Sequence, residues 1–208
     1  MKQSRLTDQF PAISADLPLN IQKLLTGLEE KLVDSRQTRV LVQIEASQRA
    51  ECFLVCMERL LRYTKSQRLL VLTSASSQPM LYRVWQAATS REDGQSLTNQ
   101  FPTHYALTWP LSEKTRVCIS TIRELQLQQI EHLQDLSTSF DIILAYDFPS
   151  GLSPVWQRVI GKQQTNYLIA FCENPKQEVL QWFEGMIIGG TCEEDTTQCD
   201  CTQRPPAI

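Results

Sequence analysis

Apolar residues along the chain fall into stripes and short runs that predict alternating helices and strands. Between Leu19 and Val33 they recur every three or four residues, which is the spacing of one apolar face on a helix. Five short runs of aliphatic residues then predict strands, and each is followed by a stretch with helical spacing. The predicted strands are Arg39–Ile44, Leu69–Leu72, Arg116–Ile119, Phe140–Ala145 and Tyr167–Phe171. The predicted helices that follow them are Cys52–Leu61, Met80–Ala88, Ile122–Leu133, Val155–Ile160 and Gln177–Phe183.

The strand runs are apolar at consecutive positions and show no clear alternation. Strands of this kind are buried on both faces, as in a parallel sheet covered by helices. The predicted fold class is therefore α/β, with an open, mainly parallel sheet and helices on both faces. Residues 1–18 predict an N-terminal arm, residues 19–188 the packed domain, and residues 189–208 a flexible acidic tail that contains cysteines. The polar residues 90–112 predict an inserted loop.

Composition and charge exclude few function classes. A chain of 208 residues with 42% hydrophobic and 21% charged residues suits one folded core. Its net charge of −3 is uneven, because residues 173–208 hold seven acidic and two basic residues, which leaves residues 1–172 at +2. So small a basic excess permits nucleic-acid contact without arguing for it. With no signal-peptide pattern and no apolar run of about 20 residues, we expect a cytoplasmic protein without a membrane partner.

The seven cysteines fall into two groups. One group lies inside apolar runs and predicts buried, reduced thiols: Cys52, Cys56, Cys118 and Cys172. The other group lies in the tail and is spaced unlike the usual zinc sites: Cys192, Cys199 and Cys201. Incidental thiols are favoured over part of a metal site there, so no metal ligands are predicted. His104 and His132 are expected at the surface.

The turns that follow the strands resemble those of a known family. In open parallel sheets ligands bind at the carboxyl ends of strands. The stretches Arg39–Glu51 and Leu69–Thr73 resemble the first motor domain of superfamily 2 helicases, above all the DEAD-like translocase domain of type I and type III restriction enzymes. Val117–Arg123 resembles that family's I-S-T motif, Phe140–Pro149 its F-D-L-I-I-x-D-E-C-H motif, and Leu168–Pro175 the strand that ends in T-A-T-P.

This resemblance, over residues 19–188, implies a RecA-like P-loop NTPase fold whose phosphate loop has degenerated. A phosphate loop needs glycines for close backbone approach, a Lys for the β- and γ-phosphates, and a hydroxyl for magnesium. The glycine positions fall on Ser47 and Arg49, the Lys on Ala50 and the hydroxyl on Glu51. Each group that would bind the nucleotide is thus replaced.

The acid pair of the second motif is also reduced. The metal-holding acid falls on Tyr146 and the water-orienting acid on Asp147, and phosphoryl transfer needs both. In the third motif Cys172 starts a sequence that lacks the hydroxyls of T-A-T-P. We therefore expect no catalytic residues, no bound ATP or magnesium, and no second motor domain within the 208 residues.

Hydroxyl residues at strand ends suggest nucleic-acid contact or helix capping. In the resembling family these turns touch the phosphate backbone of DNA, and hydroxyls and amides are common phosphate partners. The corresponding positions here are Thr73, Ser74, Ser120, Thr121 and Arg123. Capping is the favoured interpretation, because Glu124 follows Thr121 by three residues and completes a capping-box pattern.

The functional expectation is a non-catalytic helicase-like domain, a pseudo-ATPase related to restriction-modification motors. It would bind nucleic acid or a protein partner, such as a second helicase-type chain, and act as a regulatory module. One alternative is an ATP-binding subunit of a DNA-dependent ATPase that a second chain completes. Another is a non-functional remnant of a restriction or helicase gene, although strands free of polar intrusions argue against decay.

Overall fold

Seven strands form one sheet at the centre of the domain. The computed structural model describes residues 18–34, 37–63, 68–89, 103–104, 116–127, 140–161 and 167–189. The strands are β1 (Arg39–Ile44), β2 (Leu69–Thr73), β3 (Thr103–His104), β4 (Val117–Thr121), β5 (Ile142–Ala145), β6 (Tyr167–Cys172) and β7 (Gly185–Gly189). Their spatial order is β3-β4-β2-β5-β6-β1-β7, and every neighbouring pair is parallel. The predicted α/β class with a parallel sheet is confirmed.

The described helices lie before and between the strands along the chain. They are α1 (Leu19–Glu29), α2 (Ala46–Tyr63), α3 (Gln78–Thr89), α4 (Ile122–Leu127), α5 (Pro154–Gly161) and α6 (Gln177–Leu180). A π-helical turn at Glu30–Asp34 continues α1. None of the described helices is long and apolar enough to cross a membrane.

The sheet is covered on both faces because its strands place buried side chains on both sides. Val40, Val42 and Ile44 of β1 join one cluster with side chains of α1, α2 and α3, whereas Leu41 joins a second cluster. That second cluster contains Trp156 of α5 and Val179 of α6. Consecutive burial of this kind is the physical reason that the strand runs lack alternation.

Two strands were not predicted from the sequence. Thr103–His104 pairs with β4, so the prediction of a continuous loop over residues 90–112 is wrong at this point. Gly185–Gly189 pairs with β1 at the end of the sheet, and its run GMIIG is too short and glycine-flanked to stand out from a loop. The arm up to residue 17, the cysteine-containing tail from residue 190 and His132 lie outside the described residues.

The start of α2 differs most from the sequence-based expectation. The turn expected over Glu45–Glu51 is helical from Ala46 onward. The stretch holds no Gly or Pro, and Ala, Gln, Arg and Glu are strong helix formers, so nothing there stops the helix from beginning directly after β1. The backbone N–H groups of Gln48 and Arg49 both donate to the Glu45 carbonyl, at 3.2 and 3.1 Å.

Candidate functional site

The carboxyl ends of the central strands meet at one edge of the sheet, where Asp147 is the central polar group. It lies two residues after the end of β5, and its Oδ2 atom accepts hydrogen bonds from the end of β2. The donors are Thr73 Oγ1 at 3.1 Å, the Ser74 backbone N–H at 3.1 Å and Ser74 Oγ at 2.7 Å. The structure therefore brings together two strand-end turns whose contact the sequence did not predict.

Hydrogen bonding outweighs burial in setting the charge of Asp147. Burial of the carboxyl raises its pKa, but the hydrogen bonds from Ser74, Ser77 and Thr73 hold the pKa below its ordinary value of 3.8. Asp147 is consequently an ionised carboxylate across the neutral pH range.

Arg49 of α2 lies against this carboxylate. Its Nη1 atom is 3.2 Å from Asp147 Oδ1, and its Nη2 atom is 3.5 Å from Glu173 Oε2. The guanidinium carbon also lies 5.7 Å from the centre of the Tyr146 ring, within the range of a cation–π contact. Only 13% of the Arg49 side chain is exposed, so the guanidinium fills the space between the strand ends.

The remaining positions of the expected phosphate loop are used for other purposes. Ser47 is exposed and its hydroxyl donates to Glu45 Oε2 at 3.5 Å. Ala50 is packed against the core, in the position that the resemblance assigned to the phosphate-binding Lys. Glu51 is exposed on α2. None of these three side chains is a cation that could bind a phosphate.

Tyr146 is part of the core. It is 5% exposed, and its ring meets Phe53 edge-on at 5.0 Å between centroids. Burial, and then the neighbouring charge of Asp147, raises the pKa of the Tyr146 phenol. A neutral phenol cannot supply the anionic oxygen that a magnesium ion prefers. Within the described ranges, no group of three or more His, Cys, Asp or Glu side chains could hold a metal ion.

The hydroxyls at the end of β4 form a capping box. The Thr121 backbone N–H donates to Glu124 Oε2 at 2.8 Å, and the Glu124 N–H donates to Thr121 Oγ1 at 3.1 Å. Ser120 is fully buried and donates to the same carboxylate at 2.8 Å. The capping interpretation is confirmed, whereas Arg123 is exposed beside it and DNA contact stays a prediction.

A groove opens beside this network, at the ends of β1, β6 and β7. Its volume is about 550 Å³. Among the residues that line it are Glu45, Ser47, Glu173, Asn174 and Ile188. Glu173 and Ile188 were not among the predicted site residues. Glu173 could have been found, because it follows a predicted strand, whereas Ile188 belongs to a strand that the sequence did not reveal.

Comparison with solved structures agrees with this architecture. The crystal structure of the UvsW helicase from bacteriophage T4 matches 88% of this chain with a TM-score of 0.52 and 12% sequence identity. This chain has a helicase-like RecA-type fold. The match spans 64% of the UvsW chain. The C-terminal part of the Fun30 ATPase domain matches 84% of this chain and 49% of its own, at 10% identity and a TM-score of 0.24. No family model matches the sequence. No curated protein matches it either.

Proposed function

We propose that this helicase-like domain is non-catalytic and works as a protein-interaction module. The observation that carries the proposal is the position of Arg49, whose guanidinium pairs with Asp147 and Glu173 at the strand ends. In a working site of this fold a bound nucleotide and its metal would neutralise such a carboxylate. Here the protein's own cation does so.

The site does not fit ATP with magnesium. The amides of Gln48 and Arg49 are committed to the Glu45 carbonyl, so they cannot wrap a phosphate. Glu45 and Glu51 are exposed at the start of α2, and Glu173 is exposed across from them. Their charges repel a triphosphate at the helix end that would otherwise attract it.

Protein contact is better supported than nucleic-acid contact. The hydroxyls of Thr73, Ser74 and Thr121 already bond inside the domain. Large apolar side chains are instead exposed on β7, where Met186 is 40% and Ile188 is 69% exposed. Apolar side chains that share an exposed strand face are typical of protein-interaction surfaces.

Titration with labelled ATP and magnesium tests the non-catalytic part of the proposal. We expect no saturable binding by the full chain even at millimolar ATP, a concentration at which most enzymes are already occupied by their substrates. The control is Asp147→Ala, which should give the same flat titration. Saturable binding that Asp147→Ala abolishes would overturn the proposal and favour a nucleotide-binding subunit that a second chain completes.

A further inference from the structure

The groove beside β7 combines an apolar wall with an acidic rim. Gln43 and Ile188 are register partners on neighbouring strands, and Leu41 and Met186 are the next such pair. Because pairs two residues apart face the same side of a sheet, Met186 and Ile188 lie on one face, next to the buried Leu41. The exposed apolar surface is therefore an extension of the core along the outermost described strand.

The rim of the groove carries two carboxylates, of which only Glu173 shares a cation, Arg49, with Asp147. Glu45 and Glu173 both line it, and both are exposed. Among the described residues that line the groove there is no Lys or Arg. The nearest cation in the site, Arg49, is already bound to Asp147 and shared with Glu173. A ligand that brings its own positive charge is thus the complementary one.

The sheet edge favours an extended ligand. In the described part of the sheet β7 comes last in the strand order and pairs with β1. An edge strand offers backbone donors and acceptors to an added strand, whose alternate side chains then face the same surface. Nucleic acid is disfavoured, because its phosphates would meet Glu45 and Glu173.

We infer that the groove formed by Glu45, Glu173, Asn174 and Ile188 binds an extended segment of a partner protein that carries a basic and an apolar side chain. The apolar side chain covers Ile188, and the Lys or Arg reaches the Glu45 and Glu173 carboxylates. This inference rests on the proposed function, since it names the site and the chemistry of the partner that the interaction module would bind.

Selection from a display library of short random peptides on the full chain tests the inference. The counter-target is the double variant Ile188→Ser/Glu45→Lys, both of whose positions are exposed. We expect the enriched peptides to pair Lys or Arg with aliphatic or aromatic residues. Failure to enrich peptides above the counter-target, or enrichment of acidic peptides, would overturn the inference.

A selected peptide, labelled and titrated by fluorescence anisotropy, then measures each contact. Ile188→Ser should weaken binding by at least about tenfold, since burial of an Ile side chain is lost. Glu45→Lys should weaken it by a few-fold and remove part of its salt dependence. Leu19→Ser and Glu51→Lys are matched controls, because both residues are exposed and neither lines the groove.

Equal weakening by the controls and the groove variants would contradict the inference. Thermal unfolding of each variant shows that it is folded before it is titrated. Titration of the same preparations with ATP and magnesium separates the two proposals. If peptides fail and ATP does not bind, the groove assignment is wrong and the non-catalytic proposal stands, whereas saturable ATP binding counts against the proposed function itself.

Discussion

Asp147 is bound on both of its oxygens, one by hydroxyl and amide donors and the other by Arg49. Under the proposed function, the Arg49 guanidinium on one of its oxygens keeps Asp147 from acting as a catalytic acid. The Nε atom of Arg49 is buried without a hydrogen-bond partner in the structure. The missing hydrogen bond at Nε destabilises this placement of the guanidinium, and its two ion pairs and its contact with Tyr146 offset that loss.

Asp147→Asn is expected to lower the free energy of unfolding by about 1–3 kcal/mol near neutral pH. The groups that donate hydrogen bonds to the charged carboxylate would then face a neutral amide. The folded-state pKa of Asp147 lies below its ordinary value of 3.8. The stabilisation is therefore full above the unfolded-state pKa of about 3.9 and is lost as the pH falls through the folded-state pKa. Urea unfolding at neutral and at acidic pH should show the gap between wild type and variant closing at the acidic end.

Glu51→Gln is the matched control for this substitution, since Glu51 is an exposed acid on α2. Its effect should stay within about 0.5 kcal/mol. A gap between wild type and Asp147→Asn that is the same at both pH values would show that ionisation of Asp147 does not stabilise the fold.

At the scale of single elements, the start of α4 depends on the capping box between Thr121 and Glu124. Thr121→Ala should destabilise the domain by about 1 kcal/mol, because the Glu124 N–H loses its acceptor. Arg123 is exposed and directly precedes Glu124, so Arg123→Ala should leave stability nearly unchanged. Chemical denaturation measures both, and a labelled single-stranded oligonucleotide can be titrated in parallel. Unchanged stability with weakened oligonucleotide binding in Thr121→Ala would favour DNA contact over capping.

The buried thiols of α2 and β4 should be unreactive in the folded protein. Burial raises the pKa of Cys52 to about 11, and that of Cys56 and Cys118 to about 12. Burial also raises the pKa of Cys172, the fourth free thiol among the described residues. Reactive cysteines need a thiolate and access to solvent, and these have neither.

The test uses a variant in which Cys192, Cys199 and Cys201 are replaced by Ser, so that the tail does not contribute. At mildly alkaline pH, reaction with a thiol reagent should begin only when denaturant unfolds the domain. The unfolding midpoint from fluorescence and the midpoint of thiol exposure should coincide. Rapid reaction of one or more thiols in the native state would contradict the burial of these residues.

At the scale of the whole molecule, the sequence predicts those strands that are runs of buried aliphatic residues. The five predicted strands are all present, since each is a run of aliphatic residues buried on both faces of the sheet. Gly185–Gly189 escaped prediction, because only Ile187 of this strand is buried and its neighbours are exposed. The turn into α2 was mispredicted because the resemblance implied a loop, whereas residues 46–51 have the composition of a helix.

The candidate site was predictable in its members but not in its contacts. The rule that ligands bind at the carboxyl ends of parallel strands selected the turns that contain Asp147, Thr73 and Ser74, and the structure brings these residues into contact. The ion pair between Arg49 and Asp147 joins residues far apart in sequence, and its geometry depends on the early start of α2. No local pattern encodes a contact of that kind.

Under the proposed function, introducing the motif residues should not create nucleotide binding, because the backbone of the whole β1–α2 connection differs from that of a phosphate loop. In a quadruple variant, Ser47→Gly, Arg49→Gly, Ala50→Lys and Glu51→Thr, both loop glycines, the Lys and the hydroxyl are introduced at the positions where the resemblance places them. Ala46 would still begin the helix directly after β1. Removal of Arg49 would also leave Asp147 without its cation, and a Lys at position 50 would replace a side chain packed against the core. We expect a destabilised domain with no saturable binding of labelled ATP.

The single variant Glu51→Thr, at an exposed position, is the control for folding and should match the wild type in thermal unfolding. Saturable, magnesium-dependent binding by the quadruple variant would show instead that the connection can open into a phosphate loop, and that side chains rather than backbone prevent it.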